Sequence, residues 1–147
     1  LWIVPRKRLM VQTAEMIRAE LQCEIGCIGD GRWEPENITV AIIDSLASVS
    51  ADTLARWPFL IVDEAHHAAG RSYVDVLTHY GCMDDTEFAT PAVGFTATMT
   101  RTNGGLGEVW QSTAYTKGIH SLIKEGYLVP PVAHSIAVPG STWLRPE

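Results

Sequence analysis

Two adjacent carboxylates directly follow a short run of apolar residues, 59–62. Such a run is typical of a strand that is buried on both faces of a sheet. Asp63 and Glu64 then lie at the carboxyl end of this strand, where open α/β sheets bind their ligands. Phosphoryl transfer to water needs a carboxylate that holds magnesium and a second group that orients the attacking water. The pattern therefore favours Asp63 as the magnesium ligand and Glu64 as the group that activates water.

A pair of hydroxyl groups marks the end of a second predicted strand, residues 92–96. Thr96 and Thr98 flank an alanine there, and either hydroxyl could bond a neighbouring side chain. Threonines at strand ends more often bond backbone groups, so this motif is weak on its own. We predict that His66 lies within hydrogen-bond reach of one of these hydroxyls, which requires the two strands to be neighbours.

Together these motifs resemble motifs II and III of the superfamily 2 (DEAD/DEAH-type) helicases. Asp-Glu-Ala-His at 63–66 is similar to motif II, and Thr-Ala-Thr at 96–98 is similar to motif III. The resemblance implies ATP and Mg²⁺ as cofactors. It also implies that Asp63 binds Mg²⁺ through water and that Glu64 activates the water that attacks ATP.

The same resemblance gives the other polar residues of the two motifs a linking role. His66 would complete the catalytic set, and with Thr96 and Thr98 it would couple the ATP site to nucleic acid. The implied activity is that of an ATP-dependent helicase or translocase, carried out by a longer parent protein.

The expected nucleic-acid contacts lie upstream of motif II. Residues 3–9 with Gln12 resemble motif Ia, and residues 42–46 occupy the place of motif Ib. The implied contacts with nucleic acid are Arg6, Lys7, Arg8 and Ser45. Ile42 and Asp44 replace the neutral polar residues that are usual in motif Ib. DNA is the expected partner because the resembled branch favours DNA, and the sequence leaves RNA open.

Two downstream segments resemble the type III restriction and excision-repair branch of this superfamily. They are residues 101–104, where Asn103 replaces the usual aspartate, and residues 123–130, which end in Gly-Tyr-Leu-Val-Pro. The resemblance covers residues 1–138, which we assign to part of a first motor domain. We assign residues 139–147 to the start of a linker.

The sequence contains no Walker A loop, Gly-x-x-x-x-Gly-Lys-Ser/Thr, to hold ATP phosphates. Its three lysines, Lys7, Lys117 and Lys124, do not follow a glycine. The resemblance places the phosphate loop upstream of Leu1 and a second motor domain beyond Glu147. These missing parts of the parent chain are therefore expected partners, and we expect the chain alone to be inactive.

Short apolar runs alternate with helix-like segments along the chain, which predicts an α/β fold with a mainly parallel sheet. The resemblance implies a RecA-like (P-loop NTPase) sheet that is flanked by helices and truncated on its amino-terminal side. Strands are predicted at 25–28, 38–43, 59–62 and 92–96, and helices at 7–21, 50–56, 72–80 and 116–125. We expect the last of these strands to pair with 59–62 and to leave its other edge open. An open edge favours association and poor solubility.

Composition narrows the class of protein. The net charge of −6 argues against a simple nucleic-acid-binding module, although a motor can carry a local basic patch. The three cysteines form no Cys-x-x-Cys pair, and no apolar run reaches the ~20 residues that span a bilayer. We expect a cytoplasmic protein without a membrane partner. The five tryptophans are too scattered for a base-stacking platform, so we assign them to core and loop packing.

Two other classes of function stay open. His66, His67 and His79 with Asp63 and Glu64 could form the metal cluster of a metal-dependent hydrolase, although no His-Glu-x-x-His or His-x-His spacing occurs. The other class is a non-catalytic nucleic-acid-binding adaptor derived from a motor domain. The intact acidic and histidine residues of the motif argue against the adaptor.

Overall fold

The computed structural model of the chain describes residues 1–54, 56–83, 89–98, 100–101 and 104–132, with backbone alone at 100, 101, 104 and 105. The chain divides into two compact units, Leu1–Ser112 and Thr113–Glu147. The predicted boundary at residue 138 and the predicted linker lie outside the described residues and stay predictions. Among the described residues, no helix is both long and apolar enough to cross a membrane.

The first unit is built on a six-stranded sheet. Its strands are β1 (Trp2–Val4), β2 (Gly26–Gly29), β3 (Arg32–Glu34), β4 (Thr39–Ile42), β5 (Leu60–Val62) and β6 (Ala92–Gly94). They lie in the order β3-β2-β4-β1-β5-β6. All neighbouring pairs are parallel except β2 and β3. This arrangement confirms the predicted α/β fold with a mainly parallel sheet.

Helices connect and cover these strands. They are α1 (Lys7–Leu21), α2 (Ile43–Ala47), α3 (Arg71–His79) and, in the second unit, α4 (Ile119–Lys124). Single 3₁₀ turns occur at Ala51–Thr53, Ala65–His67 and Leu106–Glu108, and β7 (Thr100–Arg101) pairs with β8 (Gly104–Gly105). The predictions of α1 and α3 are confirmed to within one residue. The segment predicted as a helix at 50–56 contains a 3₁₀ turn instead.

The strand β3 and the helix α2 were not predicted from the sequence. The segment 38–43 was predicted as one strand, but β4 ends at Ile42 and the helix α2 begins at Ile43. Residues 29–34 contain a hairpin rather than a loop alone. Asp30 and Gly31 form its two-residue turn, and both have positive φ angles, 55° and 78°. Asp-Gly is a favoured pair for this turn because its residues tolerate that conformation.

The sheet carries a separate apolar core on each face. Val4 and Val40 pack beneath α1, in the cluster that contains Met10 and Ile17. Alternate residues of the same strands point to the opposite face, because side chains alternate along a strand. The cluster on that face joins β1, β2, β4 and β5 to α2 and α3, and includes Leu46.

The strand β6 is the last strand of the sheet and pairs with β5 alone among the described residues. This confirms the expected pairing with the strand before the carboxylates, and the described residues place no strand at the other edge of β6. Val93 and Phe95 are also exposed on one face, as is Phe59 beside them. The predicted poor solubility stays a prediction.

In the second unit, α4 begins three residues later than predicted and ends before Gly126. Gly126 has a φ of 82°, and the amide of Tyr127 donates to the carbonyl of Leu122. A glycine in this conformation is a common helix stop. Lys117 pairs with Glu125 and lies over the ring of Tyr127.

Candidate functional site

The chain turns sharply at the end of β5. The amide of Asp63 still donates to Ile3 of β1, at 2.9 Å, so the parallel ladder continues to this residue. Glu64 then adopts a left-handed conformation, with φ 51° and ψ 47°. Such a conformation costs a non-glycine residue roughly 1–2 kcal/mol. Strain of this kind clusters at functional sites, which fits the role predicted for Glu64.

Asp63 stabilises this turn with one of its carboxylate oxygens. The amide of Glu64 donates to Oδ1 of Asp63 at 2.9 Å. Asp63 is half-buried, and the side chain of Glu64 is 43% exposed. One carboxylate is thus fixed by the backbone while the next reaches toward solvent. This difference suits Asp63 as a group that holds an ion and Glu64 as a neighbouring group that contacts water.

His66 joins the ends of β5 and β6. Its Nδ1 atom lies 3.0 Å from Oγ1 of Thr96 and 3.2 Å from Oε2 of Glu64. The predicted contact between His66 and a motif III hydroxyl is therefore present. Thr98 takes part through its backbone, since its amide donates to Oγ1 of Thr96 and its carbonyl accepts from the same hydroxyl.

The hydroxyl of Thr96 also favours one tautomer of His66. Its single proton goes to the carbonyl of Thr98, so towards the ring it can act only as an acceptor. This arrangement favours the His66 tautomer with a proton on Nδ1, the atom that lies near both Oγ1 of Thr96 and Oε2 of Glu64. A single ring N–H on Nδ1 would then link the carboxylate of Glu64 to the end of the neighbouring strand.

Backbone hydrogen bonds hold the two strand ends together beneath these side chains. The amide of Phe95 donates to Val62 at 2.9 Å, and the amide of Ala65 donates to Phe95 at 2.8 Å. Gly94 allows this approach, because a Cβ there would lie 2.6 Å from Cβ of Ala65. The indole of Trp110 also meets Gly94 and donates to the carbonyl of Ala65.

Two residues near the site were missed from the sequence. Trp110 lies 45 residues from Ala65 along the chain, and no local pattern marks it as a support for the site. Tyr73 of α3 is buried, and its hydroxyl has no hydrogen-bond partner among the described residues. Burial raises the pKa of Tyr73 to about 12, and the carboxylates of Asp44, Asp63 and Glu64 add to this. The phenol of Tyr73 therefore stays uncharged near these acidic residues.

The predicted nucleic-acid residues lie at the same edge of the sheet. β1 and β4 are parallel neighbours, so the segments that follow them emerge side by side. Arg6, Lys7 and Arg8 are exposed where α1 begins, and Ser45 is half-buried in α2. Nζ of Lys7 lies 2.6 Å from Oδ2 of Asp30.

The acidic residues suit a magnesium ion by their chemistry. Mg²⁺ prefers oxygen ligands and usually keeps several waters, so one or two carboxylates suffice to hold it. Asp63 offers such an oxygen at the carboxyl end of a parallel strand. Across the described part of the chain, no three His, Cys, Asp or Glu side chains are grouped to hold a metal by themselves. The described residues therefore do not form the metal cluster considered for a metal-dependent hydrolase.

The parallel sheet and the joined ends of β5 and β6 define a RecA-like α/β domain. Residues 1–101 match the family model for the Type III restriction enzyme, res subunit. Because this match covers more than half of the chain, the chain belongs to that family. The match confirms the predicted resemblance to the superfamily 2 helicases.

Relatives of the chain carry helicase and translocase names. A protein of Schizosaccharomyces pombe named as a candidate mitochondrial ATP-dependent helicase, irc3, is 28% identical over 135 residues, which are 88% of this chain and 22% of the relative. The DNA 3'-5' translocase XPB2 of Sulfurisphaera tokodaii is 32% identical over 103 residues, which are 69% of this chain and 22% of the relative. The chain thus spans about a fifth of the length of these two relatives.

Proposed function

We propose that the full-length protein containing this chain is an ATP-dependent DNA helicase or translocase. In it, this chain supplies the magnesium-binding and water-activating groups of the ATP site. The hydrogen bond between His66 and Thr96 is the observation that carries the proposal. This bond links His66, which also contacts Glu64, to the end of β6. Coupling between ATP hydrolysis and nucleic-acid binding requires such a link.

Each residue of the site has a part in this proposal. Asp63 would hold Mg²⁺ through water, and the bound ion would neutralise charge on the phosphates. Glu64 would accept the proton of the attacking water. His66 would hold the Glu64 carboxylate with its Nδ1–H and would respond to movement of Thr96. Thr98 would fix the hydroxyl of Thr96 through its backbone.

Arg6, Lys7, Arg8 and Ser45 would contact the nucleic acid. They emerge at the same sheet edge as the carboxylates, so a strand bound there would lie near the coupling residues. The name of the Sulfurisphaera relative supports DNA as the partner. The phosphate loop and the second motor domain of the parent protein would complete the ATP site.

Glu64→Gln in the full-length protein tests the proposal. The amide keeps the shape of the side chain but cannot accept a proton, so we expect ATP binding to persist while hydrolysis falls at least about 100-fold. Glu24→Gln is the matched control, because Glu24 is exposed before β2 at the opposite edge of the sheet. Hydrolysis by Glu64→Gln at the rate of the control would overturn the role of Glu64.

Thr96→Val in the same assay tests the coupling. Valine matches the shape of threonine but cannot accept the proton of His66. We expect basal hydrolysis to remain and its stimulation by DNA to be lost. If stimulation is unchanged, the His66–Thr96 hydrogen bond is structural alone.

A further inference from the structure

The β2–β3 hairpin borders the surface where the predicted nucleic-acid contacts lie. Its turn places Asp30 beside the first turn of α1, where the carboxylate is 2.6 Å from Nζ of Lys7. This contact shows that the hairpin tip and the basic cluster lie side by side. The two segments therefore form one continuous surface at the carboxyl edge of the sheet.

The side chains of β3 point to both faces of the sheet. Gly29 pairs with Arg32, and Ile28 pairs with Trp33. Side chains of directly opposed residues lie on the same face. Ile28 belongs to the core beneath α2 and α3, so Trp33 lies on the α2 face and Arg32 on the α1 face. The hairpin thus has one residue on the side of Lys7 and one on the side that carries α2.

Both side chains are available to a ligand. Trp33 is 39% exposed and Arg32 is exposed. The nearest carboxylate of the turn, Asp30, is already paired with Lys7. Within the described ranges, no acidic side chain pairs with Arg32. Arg32 and Trp33 are consecutive residues of the edge strand β3, so a single strand that crosses this edge can stack a base on the indole at one face and bring a phosphate to the guanidinium at the other.

We propose that the β2–β3 hairpin is a contact site for single-stranded nucleic acid, in which Trp33 stacks on a base and Arg32 binds a phosphate. The inference rests on the proposed function, because a strand must cross this sheet edge to reach the hairpin. It revises the assignment of Trp33 to packing. A single strand is specified because a base in a duplex is already stacked and cannot lie on the indole.

Binding of a fluorescein-labelled oligothymidylate to the full-length protein, followed by fluorescence anisotropy, tests this site. Trp33→Leu keeps an apolar cover over the strand but removes the stacking ring, and we expect binding about tenfold weaker. Trp33→Phe keeps an aromatic face, so its binding should stay within about threefold of the unmodified protein. Arg32→Gln should lower the slope of log K against log salt by about one.

Two control variants carry the same kinds of change at the amino edge of the sheet. Arg56→Gln and Phe59→Leu alter exposed residues there and should bind like the unmodified protein. Wild-type affinity in Trp33→Leu would overturn the proposal. Equal weakening in Trp33→Leu and Trp33→Phe, together with lower melting temperatures, would also overturn it and assign Trp33 to packing.

The result also separates this inference from the proposed function. If the unmodified protein binds the oligonucleotide and Trp33→Leu binds it equally, the hairpin site is wrong and the proposed function stands. If the unmodified protein binds no nucleic acid, both are wrong. The hydrolysis test with Glu64→Gln does not depend on the hairpin.

Discussion

The two faces of the β5–β6 pair are built differently. On one face, Leu60 and Val62 are fully buried against α3, together with Val76 and Leu77. On the other face, Val93 of β6 is 41% exposed. The site at the carboxyl ends of these strands is therefore supported from one side. The buried packing next to the turn at Asp63 and Glu64 therefore lies on the α3 face.

The exposed face continues into an apolar groove of about 680 Å³ at the amino ends of the strands. Leu1, Trp2, Met16, Leu21 and Phe59 are among the residues that line it. The same strands thus end in an apolar groove at one edge and in the hydrogen-bonded polar site at the other. Asp63 and Glu64 are not among the residues that line this groove.

Among these tests, truncation of a buried residue should give the largest change in the free energy of unfolding. Leu60→Ala removes a fully buried side chain and should lower the free energy of unfolding by about 2–5 kcal/mol. Phe95→Ala acts on the opposite face, where the ring is 55% exposed, and should cost below about 1 kcal/mol. Urea unfolding followed by circular dichroism measures both. Equal losses would mean that both faces are packed in solution.

A methyl group at Gly94 should have the next largest effect. Its Cβ would lie 2.6 Å from Ala65 and 2.7 Å from the ring of Trp110, so Gly94→Ala should cost about 1–3 kcal/mol. The change should also separate His66 from Thr96 and reduce DNA-stimulated hydrolysis. Gly107→Ala is the matched control, since a Cβ there meets nothing within 4 Å. Similar behaviour of the two variants would show that the strand ends are not closely packed.

The smallest expected effect is on the stability of the protein at alkaline pH, through Tyr73 on the α3 face. Burial raises the pKa of Tyr73 from 10.0 to about 12. Between these values the unfolded chain ionises first and binds fewer protons, so stability falls as pH rises through this range. Tyr73→Phe should make this decline shallower. It should also raise stability near neutral pH by about 1 kcal/mol, because a buried hydroxyl without a partner is removed.

Tyr80 provides the internal reference for this pH profile. Its pKa is also raised to about 12 by burial, as is that of Cys82 to about 11. Part of the alkaline decline should therefore persist in Tyr73→Phe. A profile identical to that of the unmodified protein would show that the Tyr73 phenol is hydrated rather than buried.

Local sequence determined the strand ends and the chemical groups placed on them. Four apolar residues followed by Asp63 and Glu64 predict a buried strand that delivers carboxylates to a sheet edge, and the structure has that strand. The helix α1 follows from apolar residues at helical spacing. These features depend on neighbours in the chain, which is why they can be predicted without knowing what packs against them.

Tertiary structure alone decided which groups meet. Trp110 supports Ala65 from 45 residues away, and the pKa of Tyr73 responds to carboxylates from two distant segments, Asp44 and the pair Asp63–Glu64. The pairing of Lys7 with Asp30 likewise depends on β2 lying near the start of α1. Periodicity predicts which face of an element is buried but not which element covers it. Contacts between distant segments depend on the whole fold, so the supports of the site could not be predicted from the motifs that form it.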